Sequence, residues 1–512
     1  MESKRDTRLH DVLQPLLLAL VAVLAYLPGI GRQEFVGTED FRARIASEML
    51  ASGEWTRPTY YGRLILTKPP LHYWSLAGTM AWQGKRSPGS ARLVSLAALA
   101  LTVAVIGAAA RAAAGATAGW VAGLGYLLGL NTLKNGVNAE IDPTFAALTV
   151  VALLALHGAG ARRHGASAWM ILAGLAAGLA TLAKGAAVAP WLVGGLVAAW
   201  LLGMLPRRRD LLLGAATFLP LALLWPLVLR PDSATDPLGI RESFGDFLAW
   251  DLAALGRAFV YPLALLFAAL PLSLPALLRL RAAGRASLDR YAVLAVAGAF
   301  VMLMAAGGKS TRYLLPAFPL LAVAGALRLE LMAASGAFAR VLGFAALVLA
   351  AAAVPWSRAS LDLTGGVSLA LLALAGAAAA RIGPQRPALA LLLLCAPARA
   401  LYTQVAVPAW ERSQSIAPAL VELRTVLGDA RRIAVTRLET PRLLEPLGVE
   451  IEYFDKPRQL YAALPESNGW DALLIPWRDG MDEPPAWRLD GVILLDDKEL
   501  RVYRPPPDPS GG

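Results

Sequence analysis

Long apolar runs separated by short polar loops occupy most of the chain between residues 12 and 405. Most of the runs contain about 17 to 25 residues, the length that a helix needs to cross about 30 Å of hydrocarbon. The pattern predicts a polytopic membrane protein of mainly α structure with about 13 transmembrane helices. We place these helices at 12–30, 89–110, 116–132, 142–159, 167–182, 186–205, 211–229, 257–278, 291–307, 313–328, 340–356, 366–381 and 387–405.

The first long polar loop, residues 31–88, has a pattern of its own. Apolar residues recur near helical spacing from Phe41 to Met49, and Gly53 follows them, which predicts an amphipathic helix that lies at an interface. Pro70 is expected to start a second short helix directly behind Lys68. This loop would hold acidic side chains and a lysine against the membrane surface.

Beyond residue 405 the apolar runs shorten to strand length, with helix-like stretches between the first of them. We therefore divide the chain into a transmembrane domain (1–405), a small α/β domain outside the membrane (406–504) and a disordered tail (505–512). Basic residues collect in the short loops of one side, which predicts a cytoplasmic N-terminus and an extracytoplasmic, periplasmic C-terminal domain.

Composition narrows the possible functions. A hydrophobic share of 57% and a mean hydropathy of +0.53 exceed what a soluble core could use. The net charge of +11 resides mostly in loops between spans, so it indicates topology and no nucleic-acid partner. The single cysteine, Cys395, excludes a disulfide framework and a thiolate cluster. The four histidines have no second ligand spaced to join them, so we expect neither a dedicated metal site nor a cofactor.

Ionisable residues near the ends of spans are the candidate functional residues, because such groups are costly at membrane depth. The runs that contain them are TEDFRARIASEMLASGEW, TKPPLHYW, SARL, AEIDPTFAAL, GLATLAKG and KSTRYLLPAFPLLA. In order and spacing they resemble the bacterial polyprenyl-phosphate-dependent glycosyltransferases, which include lipid A aminoarabinose transferases and relatives of the protein O-mannosyltransferases. The resemblance covers about the first 330 residues by motif.

The resemblance implies a fold and an activity. The fold is the GT-C membrane fold with a C-terminal outer domain. The activity is transfer of a monosaccharide from a polyprenyl-phosphate donor to a lipid, polysaccharide or protein acceptor at the outer face of a bacterial inner membrane, usually with inversion. Such chemistry needs a carboxylate to accept the proton of the acceptor, and cations to hold the donor and stabilise the departing phosphate.

The expected catalytic aspartate of this family is absent, because Thr38 stands in its place. Glu39 matches the glutamate that follows, and Asp40 is an additional acid. Either Glu39 or Asp40 supplies the base, or the activity is reduced or altered. The ordinary alternative for Glu39 is a favourable acid at a helix start.

The resemblance gives the other matched residues two roles. Those expected to bind the donor phosphate are Lys68, Lys309, Arg312 and Tyr313. Those expected to bind other parts of the substrates are Arg42, Glu140, Asp142 and Lys184. Several of these positions have an ordinary structural alternative: an interfacial anchor for the donor-binding set, a helix start for Asp142 and a helix end for Lys184.

Two other classes of protein compete with an enzyme. A catalytically silent relative that binds the lipid donor or acts as a scaffold would explain Thr38. A lipid-linked sugar transporter would share the many spans, but it would show internal repeats and broken helices near the midplane, and the sequence shows no repeat.

Overall fold

The computed structural model describes most of the chain. The described residues are 2–31, 34–66, 68–162, 165–228, 252–278, 288–305, 311–333, 374–375, 378, 381–382, 386–402, 416–436, 438, 440–454, 457–464, 469–477, 481–495 and 498–506. The predicted spans 340–356 and 366–381 lie wholly or almost wholly outside these ranges.

The described membrane region is helical, as predicted. Its helices are α1 (Glu2–Tyr26), α2 (Glu39–Ser52), α3 (Leu71–Gln83), α4 (Pro88–Ala114), α5 (Ala116–Leu127), α6 (Leu130–Asn135), α7 (Ile141–Gly160), α8 (Ala166–Lys184), α9 (Ala189–Leu201), α10 (Arg208–Val228), α11 (Leu252–Ala268), α12 (Ser273–Leu278), α13 (Leu288–Ala305), α14 (Ala317–Ala333) and α15 (Pro387–Leu401). Short 3₁₀ turns occur at Gly185–Val188 and Thr311–Leu314.

Five helical runs among the described residues are long and apolar enough to cross a membrane. They are Pro88–Ala114, Ile141–Gly160, Ala166–Leu201, Arg208–Val228 and Leu288–Ala305. The third run contains α8 and α9, which the 3₁₀ turn after Lys184 separates into the two spans expected from the sequence. One predicted span, 116–132, ends early because α5 stops at Leu127 and α6 follows as a separate short helix.

The first loop folds as its sequence predicts. Helix α2 ends at Gly53, whose φ of 70° is the left-handed conformation that glycine adopts without strain. A two-stranded antiparallel hairpin follows, with β1 at Thr59–Tyr60 and β2 at Arg63–Leu64. Helix α3 begins directly after Pro70. Helix α4 then starts with a reciprocal capping box between Ser87 and Ser90, which satisfies backbone donors that a helix start leaves open.

The C-terminal lobe, which we define as residues 416–506, contains the α/β sheet predicted from the short apolar runs. Its helices are α16 (Ala417–Leu427), α17 (Pro441–Leu444) and α18 (Pro457–Ala463), with a 3₁₀ turn at Glu445–Leu447. Its strands are β3 (Arg432–Thr436), β4 (Glu450–Phe454), β5 (Ala472–Pro476), β6 (Arg488–Leu495) and β7 (Lys498–Arg504). The strand order is β4-β3-β5-β7-β6, parallel among the first three and antiparallel thereafter.

Candidate active site

A buried cluster of polar side chains joins the start of α2 to the start of α7. Glu140 accepts hydrogen bonds from the Thr38 amide at 3.1 Å, from the Thr38 hydroxyl at 2.8 Å and from Arg42 Nε at 2.9 Å. Thr38 and Arg42 are one helical turn apart, so both reach the same carboxylate. Gly37 adopts a φ of +57°, and a Cβ at this position would lie 3.3 Å from Glu140 Oε1. Glycine therefore lets the chain turn tightly around the carboxylate.

Glu140 also faces a second arginine at the edge of the cluster. Arg312 Nη1 lies 3.7 Å from Glu140 Oε2, and the Arg312 side chain is 51% exposed. Burial alone would raise the pKa of Glu140, but the charges of Arg42 and Arg312 lower it to about 2. Glu140 is therefore ionised, and Arg312 is a partly exposed cation that an incoming anion could reach.

Asp142 and Lys184 form a second buried pair beside the first. The Lys184 ammonium at the end of α8 contacts Asp142 Oδ1, and both side chains are less than a tenth exposed. The same ammonium lies 4.8 Å from the ring centroid of Tyr313 and 5.3 Å from that of Phe145. The two aromatic faces and the carboxylate hold this lysine at a fixed place in a mostly dry site.

Lys68 lies in the loop that packs against the end of α8. Its neighbour Pro69 is close to Gly185, where a Cβ would lie 3.9 Å from Pro69 Cγ. Leu66 and Leu71 on either side of this loop pack against the small apolar cluster of Leu182 and Trp225. The loop that contains Lys68 is thus adjacent to the helix end that contains Lys184.

Glu39, the first expected base, is enclosed by structural contacts. Its side chain is fully buried and paired with Arg92, which donates from Nε at 2.9 Å and from Nη2 at 2.6 Å. The amides of Val36 and Ala139 donate to it at 2.7 and 2.6 Å. Its role as a base stays a prediction, and this geometry fits a positioning role better, because both oxygens already accept buried hydrogen bonds.

The backbone just before Glu140 is held on two sides. The Ala139 amide donates to Glu39, and the Ala139 carbonyl lies 3.3 Å from His72 Nε2. His72 is fully buried, and no described residue pairs with its Nδ1. Burial, followed by the charge of Arg42, lowers the pKa of His72 to about 4. A neutral His72 therefore donates from Nε2 and, together with Glu39, fixes the residue that precedes the Glu140 carboxylate.

Asp40, the second expected base, contacts the C-terminal lobe. Its Oδ1 pairs with Arg86, and its Oδ2 accepts a hydrogen bond from the Arg442 amide at 2.6 Å. Burial raises the pKa of Asp40 above its usual value even though Arg86 opposes the shift. The described contacts of Asp40 thus join α2 to the lobe, whereas those of Thr38 and Arg42 join α2 to Glu140.

The structure brings most of the predicted site residues to one end of the helical bundle. Lys309 lies outside the described residues. Three residues at the site were given no role from the sequence: Arg92, His72 and Arg86. A role for Arg92 could have been predicted, because it is the arginine of the SARL motif. His72 lies just after the matched lysine, in TKPPLHYW, and Arg86 lies in none of the matched motifs.

Metal binding has no support in the described part of the chain, where no three His, Cys, Asp or Glu residues lie close enough to hold an ion. The expectation that the protein uses no metal or cofactor stays a prediction.

Comparison with known proteins agrees with this architecture. Residues 67–230 match the family described as dolichyl-phosphate-mannose-protein mannosyltransferase. The structure superposes on the crystal structure of ArnT from Cupriavidus metallidurans bound to undecaprenyl phosphate with a TM-score of 0.71. That match covers 95% of this chain and 97% of the other at 19% sequence identity, so it establishes the fold.

Two curated proteins are similar in sequence over part of the chain. One is the undecaprenyl phosphate-alpha-4-amino-4-deoxy-L-arabinose arabinosyl transferase 2 of Pseudomonas fluorescens, 28% identical over 46% of this chain. The other is the corresponding arabinosyl transferase of Edwardsiella ictaluri, 30% identical over 34% of this chain. The matched segments cover 42% and 34% of the lengths of these two relatives.

The structure has the GT-C membrane fold, with a small sheet region at its C-terminus. In sequence the chain is similar to the arabinosyl transferases and to the protein mannosyltransferase family, which confirms the resemblance drawn from the sequence.

Proposed function

We propose that this protein transfers a monosaccharide from a polyprenyl-phosphate donor to an acceptor hydroxyl or amine of the cell envelope, at the outer face of a bacterial inner membrane. The observation that supports this proposal is the grouping of cations and carboxylates at one end of the bundle. Two relatives are named as transferases that use an undecaprenyl-phosphate sugar, and the structural neighbour was crystallised with undecaprenyl phosphate.

Cations at the site suit the phosphate of the donor. Arg312 is half-exposed beside Glu140, and Lys184 is fixed by Asp142 and the ring of Tyr313. Lys68 lies in the loop against the end of α8. Together these residues would bind the phosphate and stabilise the negative charge that grows on it as it leaves.

Glu140 is the carboxylate best placed to accept the proton. All three acids accept hydrogen bonds within the protein, but Glu140 Oε2 also faces the half-exposed Arg312 at the edge of the cluster. The acceptor heteroatom would form a bond to the anomeric carbon of the sugar, while the bond from that carbon to the phosphate oxygen breaks. The acceptor proton passes to Glu140 and the polyprenyl phosphate leaves, with inversion at the sugar carbon.

Donor binding would also activate Glu140. In the free protein, two arginines hold its pKa at about 2, which makes it a weak base. A phosphate that draws Arg312 away removes part of this stabilisation, and the pKa of Glu140 rises towards the range of an effective base. The accessible arginine therefore couples donor binding to the readiness of the carboxylate.

A catalytically silent relative is the main alternative, because Thr38 stands where an aspartate is expected. One observation argues against a silent relative: the Thr38 hydroxyl donates a hydrogen bond to Glu140, so a carboxylate is still present beside position 38. The alternative predicts donor binding without turnover, and the assay below separates the two.

The test is glycosyl transfer by the full chain in lipid nanodiscs, with a panel of radiolabelled undecaprenyl-phosphate monosaccharides and an envelope extract as the acceptor. We expect Glu140→Gln to lower turnover by about 10²- to 10⁴-fold while binding of undecaprenyl phosphate is kept. Lys184→Met should weaken that binding, whereas Lys85→Met, at an exposed lysine, should not. Wild-type binding without transfer for every donor would contradict the proposal and favour the silent relative.

A further inference from the structure

One continuous segment of the chain links the candidate site to the C-terminal lobe. This bridge segment, residues 38–68, starts at Thr38, which contacts Glu140. It ends at Lys68, whose neighbour Pro69 lies close to Gly185 at the end of α8. Its middle, formed by the outward side of α2 and the β1–β2 hairpin, contacts the lobe. The position of the lobe and the position of the site residues are therefore linked through one short stretch of chain.

Asp40 makes the contact nearest to the site. It lies between Thr38 and Arg42 in the sequence, yet its own partners are Arg86 and the backbone amide of Arg442 at the start of α17. The Arg442 side chain continues the contact, because its Nη1 donates to the Phe35 carbonyl at 2.9 Å. The lobe thus contacts the first turn of α2 at Asp40 and the chain just before this helix at Phe35.

Glu445 extends this contact along α2. One of its oxygens, Oε1, lies 2.9 Å from Arg44 Nη1 and 2.6 Å from Arg86 Nη1. Arg86 therefore pairs with Asp40 and with Glu445 at once, and it connects an acid of α2 with an acid of the lobe. The side chains of Arg44, Arg86 and Glu445 are each more than a fifth exposed, so each ion pair alone is weak. The network of pairs as a whole stabilises the contact with the lobe.

The hairpin provides a second, mostly apolar contact. The Tyr60 hydroxyl donates to the Leu438 carbonyl at 3.0 Å, and its ring meets that of Tyr453 edge-on at 4.7 Å. Tyr61 adopts a φ of 48°, which is costly for a residue with a Cβ. Glu48 of α2 supports this conformation by accepting a hydrogen bond from the Tyr61 amide at 2.8 Å. Strain of this kind persists where surrounding contacts enforce it.

We propose that the C-terminal lobe positions the active site through the bridge segment, and that Asp40 is the positioning residue at the contact. This inference rests on the proposed function for its catalytic consequence. In this role the lobe contacts no substrate. Its contacts with Asp40 fix the position of α2, and α2 then holds Thr38 and Arg42 against Glu140. Its contacts with the hairpin fix the position of the loop that ends at Lys68. Asp40, which the sequence suggested as a possible base, is then a residue that binds the lobe.

The experiment compares docking, donor binding and turnover in the same variants of the full chain. Asp40→Asn replaces the carboxylate that accepts hydrogen bonds from the Arg442 amide and the Arg86 guanidinium. The new side-chain amide is uncharged and has only one oxygen, so the contact with the lobe is weakened. Tyr60→Phe keeps the ring and deletes the bond to Leu438. The controls are Glu450→Gln, an acid of the lobe that is 72% exposed, and Tyr61→Phe, whose hydroxyl has no partner among the described residues.

Hydrogen exchange measures docking, with residues 39–52 and 441–447 as reporters and α13 as the reporter of global folding. We expect exchange in both reporters to rise by about ten- to hundredfold in Asp40→Asn and by about fivefold in Tyr60→Phe, with α13 unchanged. Affinity for undecaprenyl phosphate should fall severalfold. In Asp40→Asn, kcat should fall by about ten- to hundredfold, because a site displaced by about 1 Å can lose that much. The controls should match the wild type.

The outcomes separate this inference from the proposed function. Faster exchange in Asp40→Asn with unchanged affinity and unchanged turnover would overturn positioning by the lobe. Lost turnover with wild-type exchange would also overturn it, because Asp40 would then act in the chemistry. If the wild type binds undecaprenyl phosphate but transfers no sugar, the proposed function fails, and the exchange and affinity data still decide whether the lobe positions the site.

Discussion

The hydroxyl of Thr38 lies 2.8 Å from each of the two carboxylate oxygens of Glu140. Thr38 stands where the glycosyltransferases that the sequence resembles are expected to have their catalytic aspartate. The expected aspartate is thus replaced by a threonine, and the structure places the carboxylate of Glu140, at the start of α7, beside that threonine. A threonine hydroxyl at this position is a hydrogen-bond donor to the carboxylate and lowers its pKa.

The first prediction is that restoring the family residue harms this protein. In Thr38→Asp, two carboxylates would lie within hydrogen-bond distance, and two like charges this close cannot both ionise without a large cost. We expect transfer to fall by about tenfold or more and the pKa of the pair to rise. Thr38→Ser keeps the donor and should retain most of the activity. A gain of transfer in Thr38→Asp that survives the addition of Glu140→Gln would show that the base belongs at position 38.

The second prediction concerns the Glu39–Arg92 pair. Both side chains are buried, with two contacts of 2.9 and 2.6 Å between them, so removing one partner leaves the other charge unpaired. We expect Glu39→Gln and Arg92→Met each to destabilise the protein by about 3 to 5 kcal/mol. Thermal unfolding in detergent would measure this loss.

The double variant distinguishes a structural pair from a catalytic one. Glu39→Gln with Arg92→Met should cost less than the sum of the two single variants, because no buried charge then remains unpaired. If Glu39→Gln instead keeps the stability of the wild type and abolishes transfer, Glu39 is the base that the sequence suggested, and our assignment of Glu140 is wrong.

Much of the architecture could be predicted because it depends on local patterns. Apolar length predicted the long helices, Gly53 predicted the end of α2, and Pro70 predicted the start of α3. The short apolar runs after residue 405 predicted the strands of the lobe. Each of these signals is contained in a few neighbouring residues, and the membrane adds a strict length requirement.

The different roles of the three acids could not be predicted from the sequence, because these roles depend on contacts between distant parts of the chain. Glu39, Asp40 and Glu140 are all acids near helix starts in the sequence. What separates their roles are partners 53, 402 and 98 positions away: Arg92, Arg442 and Arg42. A motif shows that acids are present, whereas packing decides which carboxylate lies beside the exposed edge of the site.

The third prediction is a shift in the acid limb of the pH–rate profile. In the free protein the pKa of Glu140 is lowered to about 2, so kcat/KM should show no loss from Glu140 in the pH range where the protein stays folded. Donor binding removes part of the arginine charge from Glu140, so kcat should show an acid limb at a higher pH. Arg312→Gln removes one cation, raises the pKa of Glu140 and should move the limb further towards neutral pH.

A matched measurement controls for general effects of charge. Arg57→Gln removes a cation from the same loop region without touching Glu140 in the described structure, and its profile should follow the wild type. If Arg312→Gln lowers the rate equally at every pH, Arg312 acts on the donor alone and does not tune Glu140.

The last prediction is that His72 makes the protein sensitive to mild acid. Its pKa is lowered from 6.5 to about 4 by burial, so the unfolded chain binds a proton at a pH where the folded protein does not. Stability therefore rises with pH between about 4 and 6.5, and the contribution of His72 is fully present above that window. A shift of this size corresponds to about 3 kcal/mol lost on acidification. His72→Gln can still donate to the Ala139 carbonyl but does not titrate, so the difference in unfolding temperature between pH 7.5 and pH 5 should shrink in this variant. An equal difference in both proteins would mean that other groups cause the acid sensitivity.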